Sequence, residues 1–322
     1  MSLFTADLRC KIVQKIVYKK VYTGHRPNSF QPWKEPGETT FENGMIMKND
    51  ISYESKYPNG FFDLWLPDSS AEKKPVFVYF HGGGFIFGDK STGDPLAQGE
   101  GDKGKMAAIV KAGYALVNAD YALSPDYRFP VQLEQVDELM RYLLTNADKL
   151  GIDMSRVCLS GASAGADLTE LYASMICNRE YAAEIGINPV MTEENLKVLA
   201  IDEASLDIRD FECNKNMYAM LHCWLGDGSK EYSGKRKLLN AKDHIKEHFI
   251  PSWINSSNME EWFIKEAHNL AKKLDYIDCD YDLVYFPREY GDLTHGYMEQ
   301  LESSECAKQA FDRMMKFVGE HI

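Results

Sequence analysis

Two periodicities of apolar residues alternate along the chain and predict a mixed α/β fold. Continuous apolar runs, the pattern of strands covered on both faces, recur at 75–80, 114–118, 157–159, 196–201, 250–255 and 282–286. Apolar residues at helical spacing lie between or after them, at 106–112, 132–150, 166–177, 262–274 and 298–318. This alternation predicts a mainly parallel sheet with helices on both faces.

Three other segments are assigned from the same patterns. An amphipathic helix is predicted over residues 4–22, from Leu8, Ile12, Val13, Ile16, Val17 and Val21; we expect it to pack on its own protein rather than lie on a membrane. Residues 23–44 are interpreted as loop, and 45–66 as two strands at an antiparallel edge. We therefore divide the chain into an N-terminal cap segment (1–44), the core (45–204 and 249–322) and a cap or lid insertion (205–248).

Composition narrows the class of protein without defining its fold. Of the 322 residues, 44% are hydrophobic and 26% charged, and the net charge of −13 argues against nucleic acid as a partner. No run of about 18 apolar residues and no signal-peptide core occur, so we expect no membrane span and a cytoplasmic location. The seven cysteines include no C-x-x-C, which favours free thiols in a reducing compartment over a disulfide framework.

The segment around Ser163 carries the main catalytic signal. An apolar strand ends in Gly161-Ala162-Ser163-Ala164-Gly165, and a helical pattern follows at once. Strand, sharp turn and helix with serine at the tip form the context of a nucleophile elbow, whose neighbours have to be small. The N–H of Ala164, the residue after the nucleophile, would then be one oxyanion donor.

Two further motifs precede the elbow in the chain. His81-Gly82-Gly83-Gly84-Phe85 follows an apolar strand, where glycines let the backbone approach a substrate carbonyl. Asp120-Tyr121-x-Leu123-x-Pro125 comes later, with Phe129-Pro130 soon after it. With the elbow, these motifs in this order and spacing closely resemble the hormone-sensitive-lipase-like family of α/β-hydrolase carboxylesterases, over roughly residues 50–320.

The resemblance implies a fold and several residue roles. It implies an eight-stranded α/β-hydrolase sheet with a helical cap, and Gly83, Gly84 and Ala164 as oxyanion donors. Asp120 and Tyr121 would be structural supports. Thr294-His295-Gly296, after the last predicted strand, resembles the family's His-Gly-Phe and makes His295 the expected base. His244 and His248 are four residues apart, as zinc ligands on a helix can be, but no third ligand is evident, so we expect no metal and no cofactor.

The third member of a Ser-His-acid triad is the point at which the sequence departs from the family. Members usually carry Asp after the penultimate strand, but residues 251–262 contain none. Counting from Pro251, or back from the following helix, places Glu261 at the acid position, and a glutamate can orient the imidazole and stabilise its cation. Glu260 is the alternative, and Asp202, at the end of an earlier strand, is a more distant one.

Two other motif matches carry little weight. The G-x-G-x-x-G of residues 99–104 does not directly follow a strand, and its acidic residues would repel a pyrophosphate. The glycosylation sequence at Asn255 lies in a predicted strand.

The sequence thus predicts a serine carboxylesterase that hydrolyses short- to medium-chain esters through an acyl-enzyme on Ser163. The partner would be a small-molecule ester, and a homodimer is left open. Two alternatives stay open: an amidase or acyltransferase using the same triad, and a non-catalytic small-molecule binder built on the fold.

Overall fold

A nine-stranded sheet forms the centre of the structure, a computed structural model that describes residues 6–20, 26–32, 36–91, 103–206, 215–226 and 229–322. Its strand order is β1-β2-β3-β5-β4-β6-β7-β8-β9; the pairs from β1 to β3 and the β3–β5 pair are antiparallel, and the others are parallel. The strands are β1 (Gly37–Thr40), β2 (Ile46–Ser52), β3 (Phe61–Leu66), β4 (Lys74–Phe80), β5 (Ala115–Ala119), β6 (Ile152–Ala162), β7 (Leu196–Asp202), β8 (Ser252–Ser256) and β9 (Tyr281–Tyr285).

Helices cover both faces of this sheet because its strands are apolar on both sides. Along β4, Val78 packs into one core with α3, α4 and α9, whereas Phe77 packs into the other with α2 and α10. The helices of the described residues are α1 (Ala6–Lys20), α2 (Lys103–Lys111), α3 (Val131–Leu150), α4 (Ala164–Cys177), α5 (Arg179–Ile185), α6 (Lys215–Leu225), α7 (Ser229–Arg236), α8 (Ala241–His244), α9 (Glu261–Tyr276) and α10 (Glu305–His321). Two short 3₁₀ turns span Arg288–Tyr290 and Tyr297–Gln300.

The predicted pattern of alternating strands and helices is confirmed, with local differences. Strand β1 lies in the segment interpreted as loop, which raises the strand count from the expected eight to nine. Helix α5 follows α4 directly; Asn178 separates them and caps α5 by accepting hydrogen bonds from the N–H groups of Glu180 and Tyr181. Helix α8 ends at His244, so His248 does not share a helix face with it.

The N-terminal helix packs on its own protein, but of the described apolar residues that predicted it only Val17 is buried. Leu8, Ile12, Val13 and Ile16 are exposed, whereas Gln14, Val17 and Tyr18 are buried. Val21 lies outside the described residues. Since α1 lies against α6, the residues that face α6 decide which side is covered.

A disulfide joins these two helices, contrary to the expectation of free thiols. Cys10 of α1 and Cys223 of α6 are 213 residues apart in the chain, with Cα atoms 6.8 Å apart. Nothing in the local sequence signals a pair this distant. Cys158, Cys177, Cys279 and Cys306 are free, and Cys213 lies outside the described residues.

Candidate active site

Ser163 stands between β6 and α4 in a backbone conformation that side-chain-bearing residues rarely adopt. Its φ is 54° and its ψ is −121°, and its N–H donates to the carbonyl of Asp202 at the end of β7. Such conformations are costly and persist where the surroundings enforce them, commonly at functional sites. The geometry is that of the predicted elbow, with the side chain at the first turn of a helix.

The glycines of the elbow permit its tight packing. A Cβ on Gly161 would lie 2.3 Å from the carbonyl carbon of Gly165, and one on Gly165 would lie 2.0 Å from the carbonyl oxygen of Phe80. Both distances are far inside van der Waals contact with backbone atoms that cannot yield easily. Strand β6, helix α4 and the end of β4 can therefore approach one another only with glycine at both positions.

The glycine-rich loop after β4 supplies a second set of backbone groups at the site. Gly83 has φ 109° and Gly84 has φ 58°, and a Cβ on Gly83 would lie 2.2 Å from the carbonyl oxygen of Phe87. Ala164 is the first residue of α4, where N–H groups have no intrahelical acceptor. All three residues line one cavity together with Ser163.

Buried side chains hold this loop from below. The ring of His81 stacks on Tyr121 at 4.3 Å between centroids, and the Tyr121 hydroxyl donates to the carbonyl of His81 at 2.8 Å. Asp120 accepts a hydrogen bond from the N–H of Lys90. These contacts are those of structural support, in line with the role that the resemblance implies for Asp120 and Tyr121.

The N-terminal helix adds one support that the sequence gave no reason to expect. The Gln14 amide, buried in α1, donates to the carbonyls of Ile86 and Ser124, each at 2.6 Å. It thereby joins the glycine-rich loop to the segment after β5. A glutamine on a predicted helix carries no signal of such a contact.

His295 lies in the loop after β9, as predicted, but the carboxylate beside it is Glu203. The Nδ1 atom of His295 is 2.9 Å from Oε2 of Glu203, and the Glu203 side chain is 1% exposed. The ring of Phe263 stacks on His295 at 4.5 Å between centroids, with 14° between planes. The imidazole is therefore held by a carboxylate at one nitrogen and by an aromatic face.

Glu203 is itself fixed by the backbone. Directly after β7, it adopts φ 62°, and its carboxylate accepts hydrogen bonds from the N–H groups of Gly296 (2.7 Å) and Ser257 (3.0 Å). Burial alone would raise the pKa of Glu203, but the positive charge available at His295 and these donors hold that pKa below its usual value. The site therefore favours an ionised carboxylate beside the imidazole.

None of the three residues that the sequence analysis proposed as the acid is paired with His295 in the described structure. Glu261, the first residue of α9, has a largely exposed side chain that pairs with Lys265 at 3.4 Å. Glu260 lines the cavity without a hydrogen bond to His295 in the described structure. Asp202 is buried and accepts from the Asn255 amide at 2.7 Å, and burial raises its pKa.

The sequence did carry a signal for Glu203. Asp202-Glu203 places two acidic residues at the carboxyl end of a buried strand, the edge at which parallel α/β sheets build their sites. The usual family position of the acid follows the penultimate strand, here β8, whereas Glu203 follows the neighbouring strand β7. The geometry replaces Glu261 by Glu203 as the residue beside His295.

Asn258 occupies the segment in which the acid was expected, and it anchors the histidine loop instead. Its side-chain amide donates to the carbonyls of Phe286 and Gly291, while its Oδ1 accepts from the N–H of Leu293 at 2.8 Å. The side chain is buried, so these bonds form away from solvent. They fix the path of the loop that ends in His295.

The cavity into which these groups open has a volume of about 230 Å³. Ser163 and His295 both line it, together with Gly83, Gly84 and Ala164. Apolar side chains from α6 and the glycine-rich loop form much of the rest, including Met217, Met220, Leu221, Trp224, Phe85 and Phe87. Trp224 stacks on Phe85 with centroids 3.7 Å apart, which joins α6 to the glycine-rich loop.

Asp167, one turn into α4, is a second buried carboxylate at the cavity. Its two oxygens accept from the N–H and the hydroxyl of Ser205, at 2.6 and 3.0 Å. Burial raises its pKa to about 7, against these hydrogen bonds, which lower it. The Asp167 carboxyl thus has a pKa near neutrality, and its own backbone N–H donates to the carbonyl of Ser163 at 2.9 Å.

One group of described residues could supply metal ligands. Potential ligand atoms of Cys177, Glu193 and His248 lie within 4.8 Å of one another. These residues do not line the cavity, and His248 forms an ion pair with Glu193 at 3.0 Å with both side chains about half exposed. His244, the other member of the histidine pair, stacks on Tyr181.

The strand order and the elbow define an α/β-hydrolase fold, and comparison with known proteins gives the family. The profile of the BD-FAE family matches residues 62–274, which is more than half of the chain, and the chain belongs to that family. This finding agrees with the resemblance to hormone-sensitive-lipase-like carboxylesterases derived from the motifs. Within the described residues, no helix has the length and hydropathy required to span a bilayer.

Curated relatives and solved structures are similar to the chain to different extents. Carboxylesterase NlhH of Mycobacterium tuberculosis is 32% identical over 112 residues, 35% of this chain and 33% of its own length. Ethyl acetate hydrolase of Pseudomonas putida is 30% identical over 127 residues, 38% and 37% of the two chains. The chain thus spans about a third of the length of these relatives.

The solved structures match over nearly the whole chain at low identity, and so support the fold. An inhibited esterase B from Lactobacillus rhamnosis has a TM-score of 0.73 at 20% identity, with 97% of this chain and 95% of that one covered. A hyperthermophilic esterase from Pyrobaculum calidifontis has a TM-score of 0.64 at 17% identity, with coverage of 98% and 93%.

Proposed function

We propose that the protein is a serine carboxylesterase in which Ser163, His295 and Glu203 form the triad. The observation that carries this proposal is the convergence of three strand ends. The elbow after β6 presents Ser163, and the loop after β9 presents His295, to one cavity, while Glu203 after β7 lies 2.9 Å from the far nitrogen of that histidine. The names of the relatives, carboxylesterase and ethyl acetate hydrolase, point to the same class of reaction.

Each group has a defined part in the proposed reaction. His295 removes the Ser163 proton as Oγ attacks the ester carbonyl, and Glu203 stabilises the imidazolium that forms. The N–H groups of Gly83, Gly84 and Ala164 donate to the oxyanion. His295 then protonates the departing alcohol, and water, activated by the same histidine, releases the acid from the acyl-enzyme.

The size of the cavity supports small substrates. Its volume of about 230 Å³ lies just below the range of roughly 300–1,000 Å³ usual for ligand sites. Apolar residues of α6 and the glycine-rich loop suit a short acyl chain better than a charged acid. We therefore propose short- to medium-chain esters as substrates; the cytoplasmic location and the homodimer remain predictions.

Hydrolysis of a p-nitrophenyl ester series, acetate to laurate, tests the proposal in wild type and Ser163→Ala. We expect turnover of the short esters by wild type, a steep decline as the acyl chain lengthens, and loss of about 10⁴-fold or more in Ser163→Ala. Mass spectrometry should also find a fluorophosphonate probe attached to Ser163. Failure of both the ester series and the labelling would reject the triad and leave a non-catalytic binder.

A further inference from the structure

Glu260 lines the cavity, and one oxygen of its carboxylate has no hydrogen-bond partner among the described residues. It directly precedes α9, where side chains commonly cap the free N–H groups of a helix, but it makes no such hydrogen bond. Its Oε2 is buried and has no hydrogen-bond partner among the described residues. A carboxylate in an apolar wall is stabilised by a hydrogen-bond donor or a positive charge, so this part of the wall is suited to a ligand that brings one.

The charges around the cavity favour a cation. Among the described residues that line it, none is Lys or Arg. Asp167 already accepts hydrogen bonds from Ser205, and Glu203 already lies against His295, so both of these carboxylates have protein partners. Glu260 therefore remains as a negative group on the wall without a protein counterpart.

The position of Glu260 indicates which part of an ester it would meet. Glu260 and Trp262 lie just before Phe263, the residue whose ring stacks on His295. In the proposed reaction His295 gives its proton to the departing alcohol, so the alcohol portion has to lie beside this histidine. The wall formed by Glu260, Trp262 and Phe263 is accordingly the wall of the alcohol side.

We infer that Glu260 binds a protonated amine on the alcohol portion of the substrate, so that the enzyme prefers amino-alcohol esters over neutral ones. This inference rests on the proposed esterase function and names a substrate class for it. An ammonium N–H donates to the carboxylate, and Trp262 lines the same cavity, where an aromatic ring can attract the same charge. A hydrogen bond between charged groups predicts a preference of about tenfold to a hundredfold in kcat/KM.

Four small esters with four-carbon acyl chains distinguish a cation subsite on the alcohol side from a neutral hydrogen-bonding subsite and from an amine subsite on the acyl side. The first two, 2-(dimethylamino)ethyl butyrate and 3-methylbutyl butyrate, have the same shape and differ in charge. The third, 2-hydroxyethyl butyrate, carries a neutral hydroxyl that could donate to Glu260 and accept from the indole N–H of Trp262, which has no hydrogen-bond partner within the described residues. The fourth, ethyl 4-(dimethylamino)butanoate, moves the amine to the acyl side.

Acid release from each ester would be followed at constant pH in wild type, Glu260→Gln and Glu261→Gln. Glu261 is the matched control, because it is the adjacent glutamate, is largely exposed and pairs with Lys265. We expect wild type and Glu261→Gln to prefer the amino ester over its isostere by at least tenfold, chiefly through KM. In Glu260→Gln this ratio should fall to within about twofold of unity, and the acyl-side amine should confer no advantage.

Specific outcomes would overturn the inference. A ratio unchanged by Glu260→Gln, or a preference for the hydroxyl ester with none for the amine, would reject the cation subsite while leaving the esterase intact. Calorimetry measures binding of the amino ester and its neutral isostere to Ser163→Ala, with and without Glu260→Gln. Because Ser163→Ala should not turn the esters over, this measures the contribution of Glu260 to binding alone. If no ester is cleaved and the fluorophosphonate does not label Ser163, the esterase proposal has failed, and the calorimetry still decides whether Glu260 selects the cation.

Discussion

The loops after β7 and β8 begin side by side at the carboxyl edge of the sheet, yet they supply different things. The loop after β7 holds Glu203 in a left-handed conformation against His295, whereas the loop after β8 holds Asn258, which fixes the path of the histidine loop. Neighbouring parallel strands end at almost the same place, so either loop could reach the imidazole. In the proposed triad, the acid therefore comes from the loop after β7 instead of the loop after β8, while the serine and the histidine keep their usual places.

The largest expected effect comes from replacing Glu203, in the loop after β7, and the smaller from replacing Glu261, which begins α9 after the loop that follows β8. Glu203→Gln should lower kcat by about 10³–10⁴-fold, because a neutral amide neither fixes the imidazole tautomer nor stabilises its cation. Steady-state kinetics with p-nitrophenyl butyrate would measure this. Glu261→Gln, in the same assay, should retain activity within about twofold. Equal activity in both variants would remove Glu203 from the triad, and a crippled Glu261→Gln would restore the assignment made from register.

The role of Asn258 predicts a smaller effect with a different signature. Asn258→Ala removes three hydrogen bonds of a buried side chain and leaves two carbonyls and one N–H without this partner. We expect about 1–3 kcal/mol less free energy of unfolding and about a tenfold to hundredfold loss of kcat through misplacement of His295. Urea unfolding and kinetics together test this. Full activity with normal stability would show that the loop holds its path without the clamp.

Asp167 offers a contrast with Glu203 in how burial acts on a carboxyl group. Burial raises the pKa of Asp167 to about 7 from an ordinary value of 3.8, so the folded state keeps a proton that the unfolded chain releases. Stability contributed by this proton is present below pH 4 and is lost as the pH rises through 7. The opposite holds for Glu203, whose lowered pKa stabilises the fold above its unfolded value and ceases to do so in acid.

Urea unfolding of wild type and Asp167→Asn from pH 4 to pH 8 measures the Asp167 effect. Because the amide does not titrate, wild type should lose stability relative to the variant as the pH rises, by a few kcal/mol over the whole range. Asp275→Asn, an exposed position on α9, serves as the control and should run parallel to wild type. A constant difference between wild type and Asp167→Asn would contradict the raised pKa.

The smallest effect is expected in the exposed first turn of α9, which follows the loop after β8. The pair between Glu261 and Lys265 spans one helical turn and is largely solvated. Lys265→Ala should change the free energy of unfolding by no more than about 0.5 kcal/mol and leave turnover unaltered. Thermal and urea unfolding would detect a larger change, which would mean that this turn of α9 contributes to the site.

How far the sequence could predict the site depends on how local each feature is. The elbow around Ser163 and the glycine-rich loop at Gly83 are short segments whose small residues are required by their own backbone geometry, and both stand where the motifs placed them. Glu203 was missed because the carboxylate proposed as the acid is identified by its distance from His295, which lies 92 residues further along the chain. Its neighbour Asp202 was considered, but only the fold distinguishes the two.

The N-terminal helix shows the same division in packing. Its apolar spacing predicted a helix correctly, but four of its apolar positions face outward, while Gln14 reaches the carbonyls of Ile86 and Ser124. Periodicity reports that one side of a helix is apolar; the partner decides which side is covered. That partner is α6, which lies far along the chain: the disulfide that joins the two helices links Cys10 to Cys223, 213 residues away.

By itself, then, the sequence determined the order of strands and helices, the elbow at Ser163, the glycine-rich loop and the place of His295 after the last strand. Backbone propensity, hydrophobic period and short motifs act over a few residues, and these features need nothing more. The tertiary structure alone decided which carboxylate meets the histidine, which face of α1 is buried and which glutamate opens into the cavity. Those outcomes depend on distances between segments far apart in the chain, which no local pattern encodes.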